Sequence, residues 1–434
     1  MTTKKPRNPD HVRSRHKPGP SDEVIEAQLT DLLTPVLYKQ MGYYRQLGLR
    51  SRILGLPLMV AAVLSLLWRQ VPSARELTKL LAREDLLWCQ AVKVSQQALN
   101  KRLLAFPAEL FERVFKDLLP SLVERWQQRQ KRPLPPAVVI ARWSFDRIWV
   151  VDGSTLEAIF RKLESLQEAP IGQLAGKICT VIDLVTRLPV EIWYREGALD
   201  HDTNFTAELL GLIPGPKTLL IFDRGFYDFT FFADLLTKGA QFITRLKSNA
   251  SYTIVQVLTE TGAVRDYLIS LGGGPQGRPI LQLRLVQIKF GQVWYSYLTS
   301  VLDPTSLPPY VVADVYRRRW RIEEAFNTVK RLLGLAYLWT GSINGVLLQV
   351  WATWLFYAIL VDLGDAVADE MGVPFDRISL EMLFRGLYHF TQAYAKGKAT
   401  DPVTYFAAPE NQDLDIVKPI RKSHTVLDPS PYPI

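Results

Sequence analysis

The sequence has few of the residues that stabilise secreted or zinc-binding proteins. Its 434 residues include 2 cysteines and 5 histidines. Cys89 and Cys179 lie far apart in apolar surroundings, which argues against a disulfide framework or a thiolate metal site and fits a reducing cytosol. The N-terminal stretch lacks the apolar segment of a secretory signal. We therefore expect a cytoplasmic protein.

Long hydrophobic runs are also scarce. The run Ile53–Trp68 contains Pro57 and is short for a lipid bilayer. The run Ile343–Val361 is longer, but it includes three polar residues. We interpret both runs as buried core helices and expect no membrane partner, with a membrane-associated protein as the alternative.

Acidic residues are outnumbered by lysine and arginine, 43 to 52, which gives a formal net charge of +9. A basic surplus favours an anionic partner, either nucleic acid or a membrane surface. The hydrophobic fraction of 48% is large enough for most of the chain to bury a core. Residues 1–20 are rich in basic residues and are expected to form a disordered arm, which either contacts phosphates or is a solvated tail.

Hydrophobic periodicity divides the chain into segments of different character. Residues 21–132 show long helical patterns, and three prolines then mark a linker. Residues 140–249 show three strands followed by alternating helices and strands, which predicts an α+β (mixed α/β) fold with helices on the faces of a mixed sheet. Residues 250–307 are strand-rich and are interpreted as a β insertion before the core resumes at 308–395. Residues 396–434 are Pro-rich and are predicted to be an irregular tail.

The stretch YRRRWRIEEAFNTVKRLLGL, Tyr316–Leu335, combines many cations with an apolar stripe. At about 100° per residue, Tyr316, Arg319, Glu323 and Lys330 share one helical arc of roughly 60°. The neighbouring arc is apolar and must face the core. The opposite, solvent side carries Arg317, Arg321, Glu324 and Arg331.

Two aspartates end strands of the predicted sheet: Asp152 follows IWVV, and Asp223 follows LLIF. Acidic residues at the carboxyl ends of such strands can converge, and Glu323 on a helix packed against the sheet can complete the site. Three carboxylates without a histidine cluster form a hard oxygen site, which selects Mg²⁺ or Mn²⁺ rather than zinc. Two such ions can activate a water or a DNA 3′-hydroxyl for in-line phosphoryl transfer.

The four residues on the shared arc match Y-x2-R-x3-E-x6-K without a gap. With DGS at Asp152 and DRGF at Asp223, the chain resembles the DDE transposases of bacterial insertion sequences, in the branch that carries this pattern. The resemblance covers roughly residues 30–395. The separations of 71 residues between the two aspartates and 100 residues from Asp223 to Glu323 agree with it.

The resemblance implies a ribonuclease-H-like catalytic core, interrupted by the β-rich insertion and preceded by a helical DNA-binding domain. It implies a transposase that binds terminal inverted repeats and catalyses metal-dependent strand cleavage and strand transfer. Mg²⁺, with Mn²⁺ as a substitute, would be held by Asp152, Asp223 and Glu323. The expected partners are double-stranded DNA, as transposon ends and target, and a second copy of the chain in a homodimer on DNA. The expected location is the bacterial cytoplasm, at the nucleoid.

Each of these residues also has a structural interpretation. Asp152 and Asp223 could be turn-forming strand ends, and Arg319 with Glu323 could be a plain i, i+4 ion pair. For the whole chain, the alternatives are a catalytically retired DNA-binding regulator and a metal-dependent nuclease without strand transfer.

Contacts to DNA are predicted at several places. On the arc, Tyr316, Arg319 and Lys330 would position backbone phosphates. Residues 76–106 have the rhythm of helix, turn and helix, in which Ser95 would cap the second helix. The polar side of that helix, suited to base edges and phosphates, carries Gln96, Gln97, Asn100, Lys101 and Arg102. An ordinary helical hairpin is the alternative.

Two further residues complete the candidate DNA interface. Trp294 lies in the aromatic strand pattern of the insertion, where an exposed ring would stack an extruded base. Strand aromatics are more often part of a core. Arg224, next to Asp223, either contacts phosphate or pairs with a carboxylate.

Overall fold

A nine-stranded mixed sheet runs through the computed structural model, which describes residues 23–49, 53–71, 73–156, 176–197, 200–274, 277–335 and 342–418. The strands are β1 (Arg147–Thr155), β2 (Lys177–Asp183), β3 (Pro189–Arg195), β4 (Thr218–Phe222), β5 (Gln241–Arg245), β6 (Tyr252–Glu260), β7 (Val264–Gly273), β8 (Arg278–Phe290) and β9 (Val293–Thr299). Their order across the sheet is β3-β2-β1-β4-β5-β9-β8-β7-β6. β4 pairs in parallel with β1 and β5, and the other neighbours are antiparallel. The predicted mixed α/β class is confirmed.

Helices precede, interrupt and follow the sheet. Before β1 they are α1 (Glu23–Lys39), α2 (Met41–Gln46), α3 (Leu56–Trp68), α4 (Ala74–Leu81), α5 (Gln96–Ala105), α6 (Ala108–Gln128) and α7 (Pro136–Ser144). The later ones are α8 (Thr206–Leu212), α9 (Phe229–Thr237), α10 (Pro309–Arg317), α11 (Trp320–Asn327), α12 (Ile343–Met371), α13 (Leu380–Ala395) and α14 (Pro402–Ala407).

The apolar residues of β1 serve both faces of the sheet, because successive side chains of a strand point to opposite sides. Ile148 and Val150 pack in one core together with α7 and α10 to α12, whereas Trp149 and Val151 pack in a second core with α8 and α9. The sheet is therefore covered by helices on both faces, which explains why its central strands are continuous apolar runs.

The N-terminal helices share the first of these cores. It extends from Ile25 in α1 to Ile416 near the end of the described residues. The segment after α6, predicted to be a linker, is held to α12 by ion pairs: Arg129 lies 2.8 Å from Asp362, and Arg132 lies 2.5 Å from Asp365. The sequence pattern marked a change in secondary structure there, but packing joins the two sides into one body.

α12 is the one helix in the described ranges that is long and apolar enough to cross a membrane. Within its most apolar window, 83% of the residues are buried against the rest of the protein. This burial agrees with its interpretation as a core helix.

The strand-rich region is not a separate layer. β9 pairs antiparallel with β5, so β6 to β9 extend the same sheet away from β1.

The prediction of an irregular tail at residues 396–434 is partly wrong. Asp401 caps α14 with its side chain, Phe406 and Ile416 are buried, and Val417 bridges to Ile378. The prolines that suggested irregularity include one at the first turn of α14, where proline is tolerated. The predicted arm at residues 1–20 lies outside the described residues.

Candidate active site

The carboxyl ends of β1 and β4 place two aspartates side by side. The two strands are parallel neighbours, and Val151 pairs with Phe222. The next residues are Asp152, which remains in β1 and pairs with Thr180 of β2, and Asp223, which directly follows β4. The two aspartates are therefore neighbours where the β1–β4 pairing ends. The predicted convergence of these two carboxylates is confirmed. Asp152 is buried, and the Asp223 carboxylate accepts a hydrogen bond of 2.6 Å from the backbone N–H of Gly225.

A third carboxylate in this cluster was not predicted. Asp202 begins a short 3-10 turn, Asp202–Phe205, in the segment after β3. One carboxylate oxygen from each of Asp152, Asp202 and Asp223 lies within 4.8 Å of the others. β3 is antiparallel to β2 and therefore runs in the direction of β1, so the segment that follows β3 emerges at the same edge of the sheet.

Two glycines make room for the third carboxylate. A Cβ on Gly153 would stand 1.9 Å from Oδ1 of Asp202, and a Cβ on Gly225 would stand 2.3 Å from Oδ2. Gly153 directly follows Asp152 in DGS, and Gly225 lies two residues after Asp223 in DRG. The absence of side chains there lets Asp202 lie against the backbone of both segments.

The Tyr316–Leu335 stretch is not one regular helix. It divides between α10 and α11 at Arg318 and Arg319. The backbone N–H groups of Arg319, Arg321 and Ile322 each bond to the carbonyl three residues earlier. It then ends in a turn of π-helix, Thr328–Leu332. The prediction of a uniform 100° step per residue is therefore wrong at both places, although Arg319 and Glu323 still face the sheet edge.

Arg319 connects this helix to the acidic cluster. Its guanidinium donates a hydrogen bond of 2.5 Å to Oδ2 of Asp152 and lies 3.8 Å from Oε1 of Glu323. The pKa of Asp152 is raised to about 7: burial is the main cause, the neighbouring carboxylates add to it, and Arg319 opposes it. Glu323 retains 39% side-chain exposure, so it stands at the open side of the site.

The remaining residues of the four-residue motif have partners of their own. Lys330 donates to the Ser154 hydroxyl at 2.5 Å and to the carbonyl of Thr155 at 2.6 Å, and burial lowers its pKa. Tyr316 stacks obliquely on Tyr297 of β9, with 5.4 Å between ring centroids. Lys330 thus holds the end of β1, and Tyr316 holds the helix to the extended part of the sheet.

The side of the helix predicted to face solvent is partly buried in an ion network. Asp376 pairs with Arg187 from the β2–β3 turn, with Arg318 at 2.5 Å and with Arg321 at 3.3 Å. Arg321 also pairs with Glu324 at 2.7 Å. The placement of Arg321 on the solvent side was wrong, because a helical wheel cannot show the segment that packs against its outer face.

The predicted helix-turn-helix corresponds to α4 and α5, which are separated by a long loop rather than a tight turn. Ser95 caps α5 as predicted, accepting a hydrogen bond of 3.1 Å from the N–H of Ala98. Gln96, Gln97, Asn100 and Lys101 are exposed. Arg102 differs from them: its guanidinium donates to the Leu54 carbonyl and the Tyr44 hydroxyl, both at 3.0 Å. Its assignment as a DNA contact does not fit this inward position.

The two other predicted DNA contacts differ in accessibility. Arg224 is exposed beside Asp223. Trp294 is partly buried in β9, and the guanidinium of Arg265 covers its ring at 4.5 Å. A base that stacked on that face of Trp294 would have to displace Arg265.

The residues of the site fit a hard divalent cation. The donor set consists of carboxylate oxygens, and the two glycines leave space where a Cβ would collide with one of them. Oxygen donors of this charge favour Mg²⁺, Mn²⁺ or Ca²⁺ over zinc. Carboxylate clusters of this kind hold the metal ions of many enzymes that act on phosphate esters.

Comparison with known proteins identifies the family. Residues 143–358, about half of the chain, match the family model described as "Transposase DDE domain". The matched range contains Asp152, Asp202, Asp223 and Glu323. The chain therefore belongs to the DDE transposases of the insertion-sequence type.

A curated relative is named "Putative transposase y4zB", from Sinorhizobium fredii (strain NBRC 101917 / NGR234). It is 26% identical over 147 residues, which are 32% of this chain and 41% of the relative. The chain thus matches less than half of the length of this relative.

Proposed function

We propose that the protein is an insertion-sequence transposase that binds the terminal inverted repeats of its element, cleaves the DNA there and joins the freed 3′-end to target DNA. The observation that carries this proposal is the convergence of Asp152 and Asp223 at one sheet edge, within a match to the transposase family. Asp152, Asp223 and Glu323 are the proposed ligands of Mg²⁺, for which Mn²⁺ would substitute.

The sheet order supports a ribonuclease-H-like core in this proposal. β3, β2, β1, β4 and β5 are consecutive neighbours, and β2 is the antiparallel member. We assign residues 140–249 and 308–395 to the core. Residues 250–307 are then an insertion that enlarges the sheet, and residues 21–132 a helical DNA-binding region that packs on the core.

The bound cations would supply an activated water or 3′-hydroxyl and stabilise the leaving oxygen. The side chains of the protein would bind the cations and orient the DNA. Asp152 is fixed by burial and by Arg319, and Lys330 fixes the strand that carries it. Glu323, at the open side, would meet the cation from the helix. Arg319 lies where it could exchange its carboxylate partner for a DNA phosphate.

Cations around the same edge support a DNA backbone as the substrate. Arg224 follows β4, and Arg245 and Lys247 lie at the end of β5, which is parallel to β4. Together with Tyr316, Arg319 and Lys330 these residues surround the carboxylates with phosphate-binding groups. Gln96, Gln97, Asn100 and Lys101 on α5 are the proposed contacts to the terminal repeat, and Trp294 is kept as a proposed base-stacking residue.

The assembly and location follow from the proposed reaction. Two transposon ends must be cut and joined together, so we propose a homodimer on double-stranded DNA. Its proposed location is the bacterial cytoplasm, at the nucleoid.

Cleavage of DNA that carries the ends of the element, with Mg²⁺, tests the proposal in wild type, Glu323→Gln and Glu324→Gln. Both variants remove one carboxylate from α11, but Glu324 pairs with Arg321 away from the acidic cluster. We expect cleavage to fall at least about 100-fold in Glu323→Gln, because a cation ligand is lost. Glu324→Gln should cleave within a few-fold of wild type, and DNA binding should persist in both.

Other outcomes distinguish the alternatives. Equal cleavage by wild type and Glu323→Gln would remove Glu323 from the site. A wild-type protein that binds the ends but never cuts them would be a retired DNA-binding regulator. Cleavage without joining to a second DNA would identify a nuclease that lacks strand transfer.

A further inference from the structure

Asp202 occupies an unusual position for a residue in a surface turn. Its two carboxylate oxygens lie over Gly153 and Gly225, the glycines that follow the two acidic motifs. The carboxylate thus stands between the segments that carry Asp152 and Asp223. In both segments the residue facing the Asp202 carboxylate is a glycine, and a Cβ there would collide with it.

The local backbone gives no reason for an acidic residue at this place. The 3-10 turn that Asp202 begins is capped at His201, without a hydrogen bond from a capping side chain. Oδ1 of Asp202 is shielded from solvent, and its ion pair is with Nζ of Lys177 at 2.8 Å. A shielded carboxylate is costly unless cations or hydrogen bonds compensate its charge.

Like charges add to this cost. Asp202 has carboxylate oxygens of Asp152 and Asp223 within 4.8 Å, and such neighbours repel each other in a partly buried site. Among the described residues, the cations that form ion pairs with the three aspartates are Lys177 at Asp202 and Arg319 at Asp152. A divalent cation would offset the remaining negative charge.

We propose that Asp202 is an additional ligand of the divalent cation, a fourth carboxylate beside Asp152, Asp223 and Glu323. This inference rests on the proposed function, because it concerns the same cation site. Lys177 then acts as a counter-ion that competes with the cation for Oδ1. The structural alternative is that Lys177 and Asp202 form an ion pair that anchors the segment after β3, where Lys177 also donates 2.6 Å to the carbonyl of Asp200.

Measurements of cation affinity distinguish a role of Asp202 as a cation ligand from a role in an anchoring ion pair with Lys177. Mn²⁺ affinity is measured by titration calorimetry on the full chain without DNA, and the melting temperature is measured with and without Mn²⁺. The variants are Asp202→Asn, Lys177→Gln and Asp152→Asn, with Glu208→Gln as a matched control. Glu208 is the carboxylate of α8 and pairs with Arg195 at 2.6 Å, outside the cluster.

We expect Asp202→Asn to weaken Mn²⁺ binding about 10-fold or more. The gain in melting temperature on adding Mn²⁺ should shrink accordingly, since the stabilisation by a ligand grows with the logarithm of its free concentration divided by Kd. Lys177→Gln should bind Mn²⁺ as tightly as wild type or more tightly, because it removes a competitor. Glu208→Gln should match wild type.

The inference is overturned if Asp202→Asn binds Mn²⁺ like wild type while Asp152→Asn does not. It is also overturned if Lys177→Gln and Asp202→Asn lose affinity equally, which is the result expected of an anchoring ion pair. If Asp152→Asn also keeps wild-type affinity, the proposed function itself fails. Should Asp202→Asn not fold, Gly153→Ala gives a second measurement, because its Cβ would displace the Asp202 carboxylate.

Discussion

Two acidic sites in the same sheet, one buried and one partly buried, differ in how their negative charge is compensated. In the extended part, Asp266 of β7 accepts two hydrogen bonds of 2.7 Å from Arg284 of β8. The same guanidinium donates 2.8 Å to the carbonyl of Leu307, and both side chains are almost completely buried. Where β1 and β4 lie side by side, by contrast, three carboxylates cluster, and the described cations that pair with them are Lys177 and Arg319.

The difference separates charge that serves structure from charge that serves binding. A buried charge is tolerated when a partner satisfies it, as Arg284 does for Asp266. A site with more carboxylates than cations is electrostatically unfavourable by itself, and such sites are typical of functional positions. We therefore expect the Asp266–Arg284 pair to contribute mainly to stability, and the cluster of Asp152, Asp202 and Asp223 mainly to cation binding.

The largest effect on stability is expected from breaking the balanced site. Asp266→Asn leaves the buried guanidinium of Arg284 without its charge partner, so the free energy of unfolding should fall by about 3–5 kcal/mol. Urea denaturation measures this loss. The control is Glu260→Gln, which removes an exposed ion pair with Arg265 at 3.7 Å and should cost less than about 1 kcal/mol. Similar small losses in both variants would contradict the assigned role of the Arg284 pair.

The sequence could predict the parts of the acidic site that have local signals. Asp152 and Asp223 each directly follow a continuous apolar run in the sequence, and Glu323 lies in a motif with fixed spacing. Asp202 has no such signal, because its position depends on the direction of β3 relative to β1. Once a hairpin is placed beside β1, any acidic residue in the segment after its second strand becomes a candidate for the same edge.

Tertiary packing accounts for the other differences. The helical wheel of Tyr316–Leu335 assumed a regular helix, whereas the backbone tightens at Arg319 and widens at Thr328–Leu332. The helical wheel places the outer face of that helix in solvent. It cannot show that Asp376, which is distant in sequence, packs against this face. The tail was judged by its prolines, although Phe406 within it packs in the core.

A smaller effect, on Mn²⁺ affinity, is expected from filling the space that Gly153 leaves for the Asp202 carboxylate. Gly153→Ala adds a Cβ 1.9 Å from Oδ1 of Asp202, and the flexible carboxylate should move aside. Mn²⁺ affinity should therefore fall about 10-fold while the melting temperature without cation stays near that of wild type. Gly211→Ala is the control, since its Cβ would meet no atom within 4 Å in α8. Wild-type Mn²⁺ affinity in Gly153→Ala would show that the position of Asp202 does not matter.

The smallest effects are expected on α5, where the adjacent cations Lys101 and Arg102 should affect different properties: DNA binding for Lys101 and stability for Arg102. Lys101 is exposed, whereas Arg102 donates to the Leu54 carbonyl and the Tyr44 hydroxyl. Lys101→Ala should leave stability unchanged and reduce the salt dependence of DNA binding by about one phosphate contact. Arg102→Ala should instead lower the free energy of unfolding by about 1 kcal/mol, because two hydrogen bonds are lost. Binding titrations at several salt concentrations and urea denaturation measure the two quantities, and a reversed pattern would mean that Arg102 leaves its pocket to contact DNA.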